Sequence, residues 1–206
     1  MRKQRRICGK DGGSLHDKGG EDMRFVMPIT DKRAVTDIAE YLYEKNERDY
    51  VLFMTGIYLG RRISDLLEYR VRDLRGKDYV EIPEKKTGDT IRLTINPHLQ
   101  KIFKHFFQGK KDYEYVFRRS RGKENRPISR VRAWQILNEA AEAVSYNDHV
   151  SCHTMRKTFA YWLYKDSGGD ISMVQDILGH EDPSITRRYI GIDQQRKDAA
   201  INGLHF

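Results

Sequence analysis

The side chains of this sequence best suited to chemistry are two arginines, a lysine, two histidines and a tyrosine. They are Arg62, Lys86, His153, Arg156, His180 and Tyr189. Guanidinium groups bind phosphate oxygens bidentately and neutralise the charge that develops in phosphoryl transfer, so the set suits a phosphodiester. A tyrosine phenol can act as the nucleophile and conserve the bond energy in a phosphotyrosine. Histidine can accept the phenolic proton near neutral pH, and lysine can protonate the leaving oxygen.

The spacing of these residues carries more weight than any one of them. His153 and Arg156 are three residues apart, which places both side chains on one face of a helix. His180 follows Gly179 directly, and Tyr189 comes nine residues later. Taken singly, each has an ordinary explanation, since a histidine after a helix-ending glycine is usually a cap and the chain has 12 tyrosines. The order of the whole set therefore carries the prediction.

The elements that must position these side chains are mostly helices. Apolar residues recur at helical spacing after Thr30 or Asp31, either of which can serve as an N-cap. Period-2 alternation predicts two strands, 78–82 and 90–95, joined by a polar turn with Lys86 at its tip. We therefore expect a mainly α-helical fold with a small antiparallel β-sheet, in the α+β class. The predicted helices cover about 31–42, 48–58, 63–69, 97–107, 130–144, 153–164, 171–178 and 183–189.

Three details of this prediction concern single segments. On the helix capped by Ser129, the pattern places Trp134 on the buried face with Leu137, Ala141 and Val144. Tyr113, Tyr115 and Phe117 indicate a buried strand. Asp193 is predicted to cap a terminal segment that ends near residues 202–203.

Basic residues are concentrated in one part of the chain. The net charge is +8, and residues 110–132 hold nine Lys/Arg against three Asp/Glu. Taken alone, such a run is more often a solvated loop. Held on one face by a buried strand, it would line a groove for phosphates, and a polyanion is the partner this charge favours. The candidate DNA-binding residues are Arg118, Arg119, Arg121, Lys123, Arg126, Arg130 and Arg132.

Composition limits the class of protein. Hydrophobic residues make up 38% of the chain, which is enough for a packed core. The longest apolar run, 51–60, is about half the length of a membrane-spanning helix, so no membrane span is predicted. Cys8 and Cys152 offer no disulfide framework. The group of His149, Cys152 and His153 lacks a second ligand pair at zinc spacing, so no metal site is predicted either.

Four motifs resemble those of the tyrosine recombinases, the phage integrase family. They are TGIYLGRRISDLL at 55–67, EKKTGD at 84–89, HTMRKTFA at 153–160 and LGHEDPSITRRYIGI at 178–192. The resemblance selects Arg62 over Arg61, because Arg62 directly precedes Ile-Ser-Asp, and Lys86 over Lys85, because Thr-Gly follows it. One departure is Lys157, where similar family motifs carry histidine. We expect it to matter little, because the side chain remains cationic.

The resemblance implies the catalytic-domain fold of this family and a specific reaction. Tyr189 would attack the scissile phosphate, giving a 3′-phosphotyrosyl link and a free 5′-hydroxyl. The two arginines and His180 would hold the non-bridging oxygens, Lys86 would protonate the leaving oxygen, and His153 would assist proton transfer. No cofactor is implied. A DNA-binding accessory protein without strand exchange and a type IB topoisomerase-like relaxation remain as alternatives.

The resemblance also implies partners and a domain plan. We expect double-stranded DNA as the substrate, a homotetramer assembled on DNA, accessory DNA-bending proteins, and a cytoplasmic, nucleoid-associated location. Residues 191–206 would pack against a neighbouring protomer or in cis. Residues 1–24 are predicted to be a flexible, basic, Gly-rich arm and residues 25–206 the catalytic domain, with no separate core-binding domain evident. This short form resembles the fimbrial-type invertases, with a truncated recombinase as the alternative.

Overall fold

The computed structural model describes residues 26–83, 90–120, 122, 124–180, 182–191 and 200–204. Within these ranges, helices dominate and a single two-stranded sheet interrupts them, so the predicted fold class is confirmed. The predicted arm (1–24), Lys86, Arg121, Lys123 and Asp193 lie outside the described residues. The elements are α1 (Lys32–Lys45), α2 (Glu47–Leu59), α3 (Ile63–Glu68), α4 (Val71–Leu74), β1 (Tyr79–Pro83), β2 (Thr90–Thr94), α5 (Pro97–Phe106), α6 (Arg130–Ala143), α7 (Cys152–Asp166), α8 (Ile171–Leu178) and α9 (Pro183–Tyr189).

Short polar residues and glycines set the ends of the helices. The Asp31 side chain accepts a hydrogen bond from the backbone N–H of Arg33, so Asp31 rather than Thr30 caps α1. Asp170 caps α8 in the same way. Gly60 and Gly179 end α2 and α8 in the left-handed conformation, with φ of 57° and 64°. Local sequence signals therefore account for most helix boundaries.

The predicted hairpin is present. Strands β1 and β2 pair antiparallel, with Val80 opposite Leu93 and Ile82 opposite Ile91. Val80, Ile82 and Leu93 are buried, so one face of the hairpin packs on the helices. The turn between the strands lies outside the described residues.

The predicted strand around Tyr113–Phe117 is wrong. The segment forms only an isolated bridge through Tyr115 within the described chain, and the Tyr113 side chain is 58% exposed although Phe117 is fully buried. The reason is that a side chain takes the place of a partner strand: the Asn125 carboxamide accepts from the N–H of Tyr115 and donates to the carbonyl of Tyr113. These bonds satisfy the backbone locally, as in a turn.

The predicted buried face of α6 also needs correction. Leu137 and Ala141 are buried as predicted, but Trp134 is 43% exposed, and Ala133, Ile136 and Ala140 complete the buried face of α6. The small residues let α6 pack closely against its neighbours. The buried face of α6 is rotated by one residue relative to the predicted face, and this rotation places the large indole of Trp134 at the surface.

The buried hydrophobic residues form two clusters of different size. The larger one joins the described helices from α1 to α7 with the sheet. The smaller one consists of Ala160, Val174, Leu178 and Ile190, which join α7, α8 and the end of α9. In the part of the chain described, no helix has the length and apolar character needed to cross a membrane.

Candidate active site

The close crossing of α2 and α7 positions the first candidate residue. A Cβ atom added to Gly56 would lie 2.4 Å from Sδ of Met155, and one added to Gly60 would lie 2.1 Å from Cδ1 of Phe159. Glycine at both positions lets the two helix backbones approach each other. Gly60 also needs its left-handed conformation to end α2. As a result, the end of α2 lies against the middle of α7, where Arg156 is located.

The Arg156 side chain is buried and held at two points. It is 2% exposed, and its guanidinium donates to the carbonyl oxygens of Gly60 and Leu178, both at 2.7 Å. These carbonyls lie at the C-terminal ends of α2 and α8, where the helix dipole favours a positive charge. Burial lowers the pKa of Arg156, while the phenol of Tyr189 acts in the opposite direction. The guanidinium stays charged at neutral pH and is fixed in direction.

The two adjacent arginines before α3 have different environments. Arg62 precedes the first turn of α3 and has an exposed side chain. Its charge contributes to lowering the pKa values of Arg156, His180 and Tyr189, so it lies within electrostatic range of all three. Arg61, by contrast, forms an ion pair with Asp65 at 2.9 Å. Arg62 is therefore the arginine whose side chain is open to an incoming anion.

His180 follows the left-handed Gly179 and faces α9. Its Nδ1 lies 3.0 Å from Oγ1 of Thr186, which is fully buried. Burial, followed by the charges of Arg156 and Arg62, lowers the pKa of His180 to about 4. The ring is therefore neutral at pH 7. When the threonine hydroxyl donates to Nδ1, the ring proton is on Nε2, which can donate to a phosphate oxygen.

Tyr189 ends α9 beside His180. The two rings are perpendicular, at 77°, with centroids 5.1 Å apart. The hydroxyl of Tyr189 is buried and makes no hydrogen bond of good geometry among the residues that the structure describes, although the Arg156 guanidinium lies close enough for its hydrogen bonding to favour the phenolate. Burial raises its pKa, and the charges of Arg156 and Arg62 partly offset this effect. A phenol in this position is neutral at rest, and the nearby cations stabilise the anion that forms when it reacts.

Four of the six predicted catalytic side chains thus share one electrostatic neighbourhood, namely Arg62, Arg156, His180 and Tyr189. His153 lies in the first turn of the same helix as Arg156, with its side chain exposed. Lys86 is among the residues that are not described. Where the structure describes side chains, no three His, Cys, Asp or Glu residues are grouped as metal ligands would be.

A model of the phage integrase family matches residues 29–196, a range that contains every predicted catalytic residue. The chain belongs to the phage integrase family. It is 40% identical over 178 residues to the probable integrase/recombinase YoeC of Bacillus subtilis (strain 168), and this match covers 86% of the chain and 96% of YoeC. With this relationship, the chain is a tyrosine-type site-specific recombinase.

The fold of the recombinase is also that of solved recombinases. The crystal structure of XerA recombinase aligns with a TM-score of 0.67 at 18% identity, covering 87% of this chain and 65% of XerA. XerH site-specific recombinase, bound to its palindromic difH substrate in a post-cleavage complex, aligns with a TM-score of 0.63 at 16% identity. That match covers 87% of this chain and 54% of XerH. The recombinase thus spans between half and two thirds of these two chains.

In this recombinase, the predicted DNA-binding arginines are largely paired with carboxylates. Arg118 contacts Glu114 at 3.3 Å, Arg126 contacts Glu124 at 3.1 Å, and Arg132 contacts Glu139 at 2.9 Å. Arg119 shares Glu124, and Arg130 begins α6 at the surface. Exposed ion pairs contribute about 0–1 kcal/mol, so a phosphate can replace the carboxylate at small cost.

Two residues near the site were not predicted as part of it. Thr186 contacts the His180 ring, and Lys157 lies with its ammonium 5.1 Å from the centroid of the Tyr189 ring. A signal for Thr186 existed, because it precedes Tyr189 and Ile190 by one helical turn and so lies on the same face of α9. Lys157 was expected to matter little, and its burial had no signal in the local sequence.

Proposed function

We propose that the recombinase cleaves and rejoins double-stranded DNA at specific sites through a covalent 3′-phosphotyrosyl intermediate on Tyr189. The observation that carries this proposal is the buried Tyr189 hydroxyl, which makes no hydrogen bond of good geometry within the described chain and lies beside the guanidinium of Arg156, within range of the charge of Arg62. Burying a hydroxyl without a hydrogen bond costs free energy. The arrangement therefore suits a group whose partner is an incoming phosphate.

The proposed cleavage step balances without a cofactor. The oxygen of Tyr189 forms a bond to phosphorus while the bond from phosphorus to the 5′-oxygen breaks. The phenolic proton passes to a base, and the departing 5′-oxygen receives a proton from an acid. In rejoining, the 5′-hydroxyl of a partner strand attacks the phosphotyrosine and releases the phenol. The covalent link conserves the energy of the phosphodiester.

Arg156 and Arg62 are the proposed ligands of the non-bridging oxygens. Two carbonyls fix the guanidinium of Arg156, and a guanidinium has five N–H donors, so further donors can bind a phosphate. Because the cation is already oriented and buried, little reorganisation is needed as charge develops on the phosphate. Arg62, at the exposed edge, adds a second positive charge. Both arginines also favour the phenolate form of Tyr189.

The three remaining roles are assigned to His180, His153 and Lys86. A neutral His180 supports hydrogen-bond donation to the phosphate through Nε2. His153 is the proposed aid to proton transfer, because it follows the catalytic pattern of the family one helical turn before Arg156. Lys86 is the proposed acid for the 5′-oxygen on the same ground.

The DNA partner and the assembly are further parts of the proposal. XerH, which has a similar fold, is bound to its difH substrate in the solved structure. This supports double-stranded DNA as the partner of the present recombinase. We extend the proposal to a homotetramer on DNA, with residues 191–206 packed against a neighbouring protomer or in cis. It also includes accessory DNA-bending proteins and action at the nucleoid in the cytoplasm. Residues 25–206 are the proposed catalytic domain, preceded by the basic arm 1–24. The likeness to fimbrial-type invertases stays a prediction.

A suicide-substrate experiment tests the proposal. Duplexes with a single nick, tiled across the DNA that flanks the gene, let the short fragment that carries the freed 5′-hydroxyl diffuse away after cleavage, which traps the adduct. We expect the wild-type protein to form a covalent adduct, Tyr189→Phe to form none, and the matched control Tyr43→Phe, at an exposed tyrosine of α1, to behave as wild type.

Three outcomes would overturn parts of this proposal. An adduct that persists in Tyr189→Phe removes Tyr189 as the nucleophile. Retention of DNA on a gel without a nick or an adduct indicates an accessory DNA-binding protein. Relaxation of a supercoiled plasmid without exchange between two sites indicates a topoisomerase-like reaction.

A further inference from the structure

Lys157 is a buried cation next to Arg156 on α7. It is 8% exposed, and its ammonium donates to the carbonyl oxygen of Val26 at 2.6 Å. The same ammonium lies over the face of the Tyr189 ring, 5.1 Å from its centroid. Burial lowers the pKa of Lys157. Burying an ammonium is costly unless it is compensated, and a carbonyl and an aromatic face are both suitable partners.

The carbonyl that Lys157 binds belongs to a segment fixed on α7. We call residues 26–30 the N-terminal strap. The backbone N–H of Ile29 donates to Oγ1 of Thr158 at 2.9 Å, and Nε1 of Trp162 donates to the carbonyl of Ile29 at 3.1 Å. Ile29 is itself fully buried. The strap is thus held along α7 by hydrogen bonds on both sides of one residue, which fixes the position of the carbonyl that Lys157 uses.

The strap also meets the chain just after Tyr189. A Cβ atom added to Gly191 would lie 3.1 Å from Cε of Met27, so the two residues are in close contact. Ile190, between Tyr189 and Gly191, is fully buried in the smaller cluster. The strap, Lys157 and the segment that carries Tyr189 therefore form one continuous set of contacts.

Two contacts restrain the Tyr189 ring from different directions. The ring of His180 stands perpendicular to it, and the ammonium of Lys157 lies over its face. Desolvated cation–π contacts are stronger than exposed ones. A ring restrained on its face and by a perpendicular neighbour has little freedom to rotate, and its hydroxyl stays near Arg156.

We propose that Lys157 is a positioning residue for the nucleophile: anchored to the strap through Val26, it holds the Tyr189 ring so that the hydroxyl remains directed at the phosphate site. This inference rests on the proposed role of Tyr189. Lys157 does not touch the reacting atoms. It acts through the ring, so its contribution belongs to the cleavage step and not to DNA binding.

The test compares the rate of the cleavage step with DNA affinity. Single-turnover adduct formation is measured at saturating nicked duplex, and the Kd of the same duplex is measured separately. We expect Lys157→Met to slow adduct formation about tenfold, as the loss of a buried cation–π contact predicts, with unchanged Kd. Lys157→Arg keeps a cation that can bind both the carbonyl and the ring, so it should recover most of the rate.

Lys165 offers a matched control on the same helix. Its ammonium lies 6.0 Å from the centroid of the Tyr161 ring, a similar contact to a tyrosine outside the proposed site. Lys165→Met should therefore cleave at the wild-type rate. If Lys157→Met does not fold, Trp162→Phe loosens the strap and leaves Lys157 in place. We expect it to slow adduct formation about threefold, as the loss of one hydrogen bond predicts, with unchanged Kd.

The outcomes separate this inference from the proposed function. An adduct in Tyr189→Phe would overturn the function. Loss of the adduct in Tyr189→Phe, together with a wild-type rate in Lys157→Met, would overturn only the role of Lys157. Equal slowing in Lys157→Met and Lys157→Arg would show that the positive charge over the ring is not what matters. A wild-type rate in Trp162→Phe would remove the strap from the account.

Discussion

The two halves of the candidate site are held by very different amounts of buried structure. Arg156 lies where α2 crosses α7, inside the larger hydrophobic cluster, and is fixed by carbonyls at the ends of α2 and α8. His180 follows α8 and Tyr189 ends α9, where the buried apolar contacts come from a cluster of four residues. Segments with few buried contacts open at lower free energy than the core.

This difference agrees with the separate tasks of the two halves. Cations that stabilise developing charge are most effective when they are oriented in advance, and Arg156 meets that requirement. A nucleophile must approach a phosphate and leave it again, so a lightly held segment is suitable. The contact between Lys157 and the Tyr189 ring then matters because it limits that freedom near the reacting position.

The largest expected effect comes from the rigid half. Arg156→Lys keeps a positive charge but cannot donate to both Gly60 and Leu178, whose carbonyls would be left without that partner. We expect adduct formation to fall by about 10²–10³-fold, the range for losing one preorganised donor. Single-turnover cleavage at saturating DNA measures this. Activity within tenfold of wild type would mean that the geometry of the guanidinium is unimportant.

A second change disturbs the helix crossing without touching a charged group. Gly60→Ala forces a Cβ atom into the Phe159 ring at a position with φ of 57°, so we expect a loss of about 3 kcal/mol in the free energy of unfolding. Gly76→Ala is the matched control, because φ is 64° there but no atom lies within 4 Å. It should cost about 1 kcal/mol, the backbone strain alone. Urea unfolding that gives equal losses for both would contradict the close crossing.

The smallest expected effect belongs to the lightly held half and depends on pH. The pKa of His180 is about 4 in the folded protein and 6.5 ordinarily. The opened segment therefore binds a proton that the closed one does not. The neutral His180 ring therefore contributes its full stabilisation of the segment above pH 6.5, and this contribution is lost as the pH falls towards 4. At about 1.4 kcal/mol per pKa unit, this shift corresponds to roughly 3 kcal/mol in the free energy of opening the segment. Solvent screening at the half-buried ring reduces the expected loss to about 1 kcal/mol.

Hydrogen exchange followed by mass spectrometry measures this loss locally. Between pH 6.5 and 4, after correction for the intrinsic rate, residues 180–191 should lose protection before α2 does. His180→Gln should remove that pH dependence, and His105→Gln, at an exposed histidine of α5, reports the effect of removing a surface imidazole. Equal loss of protection in α2 and α9 would contradict the claim that the segment with His180 and Tyr189 opens more easily than the crossing of α2 and α7.

Local signals explain what could be predicted from the sequence. Asp31 and Gly60 set helix ends through contacts within a few residues, and the alternation in β1 and β2 sets the hairpin. The order of the six candidate residues was likewise visible without any structure, and four of them do share one neighbourhood.

The features that could not be predicted depend on distant contacts. The carbonyl of Gly60 that orients Arg156 is 96 residues away in sequence, and Val26, which binds Lys157, is 131 residues away. The side chain of Asn125 replaces a strand partner for Tyr113 and Tyr115, which no periodicity reveals. Trp134 is exposed because small alanines define the packed face of α6. Such features are decided by tertiary packing.

The most direct test of the central claim is to locate the covalent bond. The trapped adduct is digested with trypsin and nuclease, and the peptide that carries the nucleotide is sequenced by mass spectrometry. The account predicts modification of Tyr189 in the peptide YIGIDQQR, residues 189–196. A nucleotide attached to any other of the 12 tyrosines would contradict it.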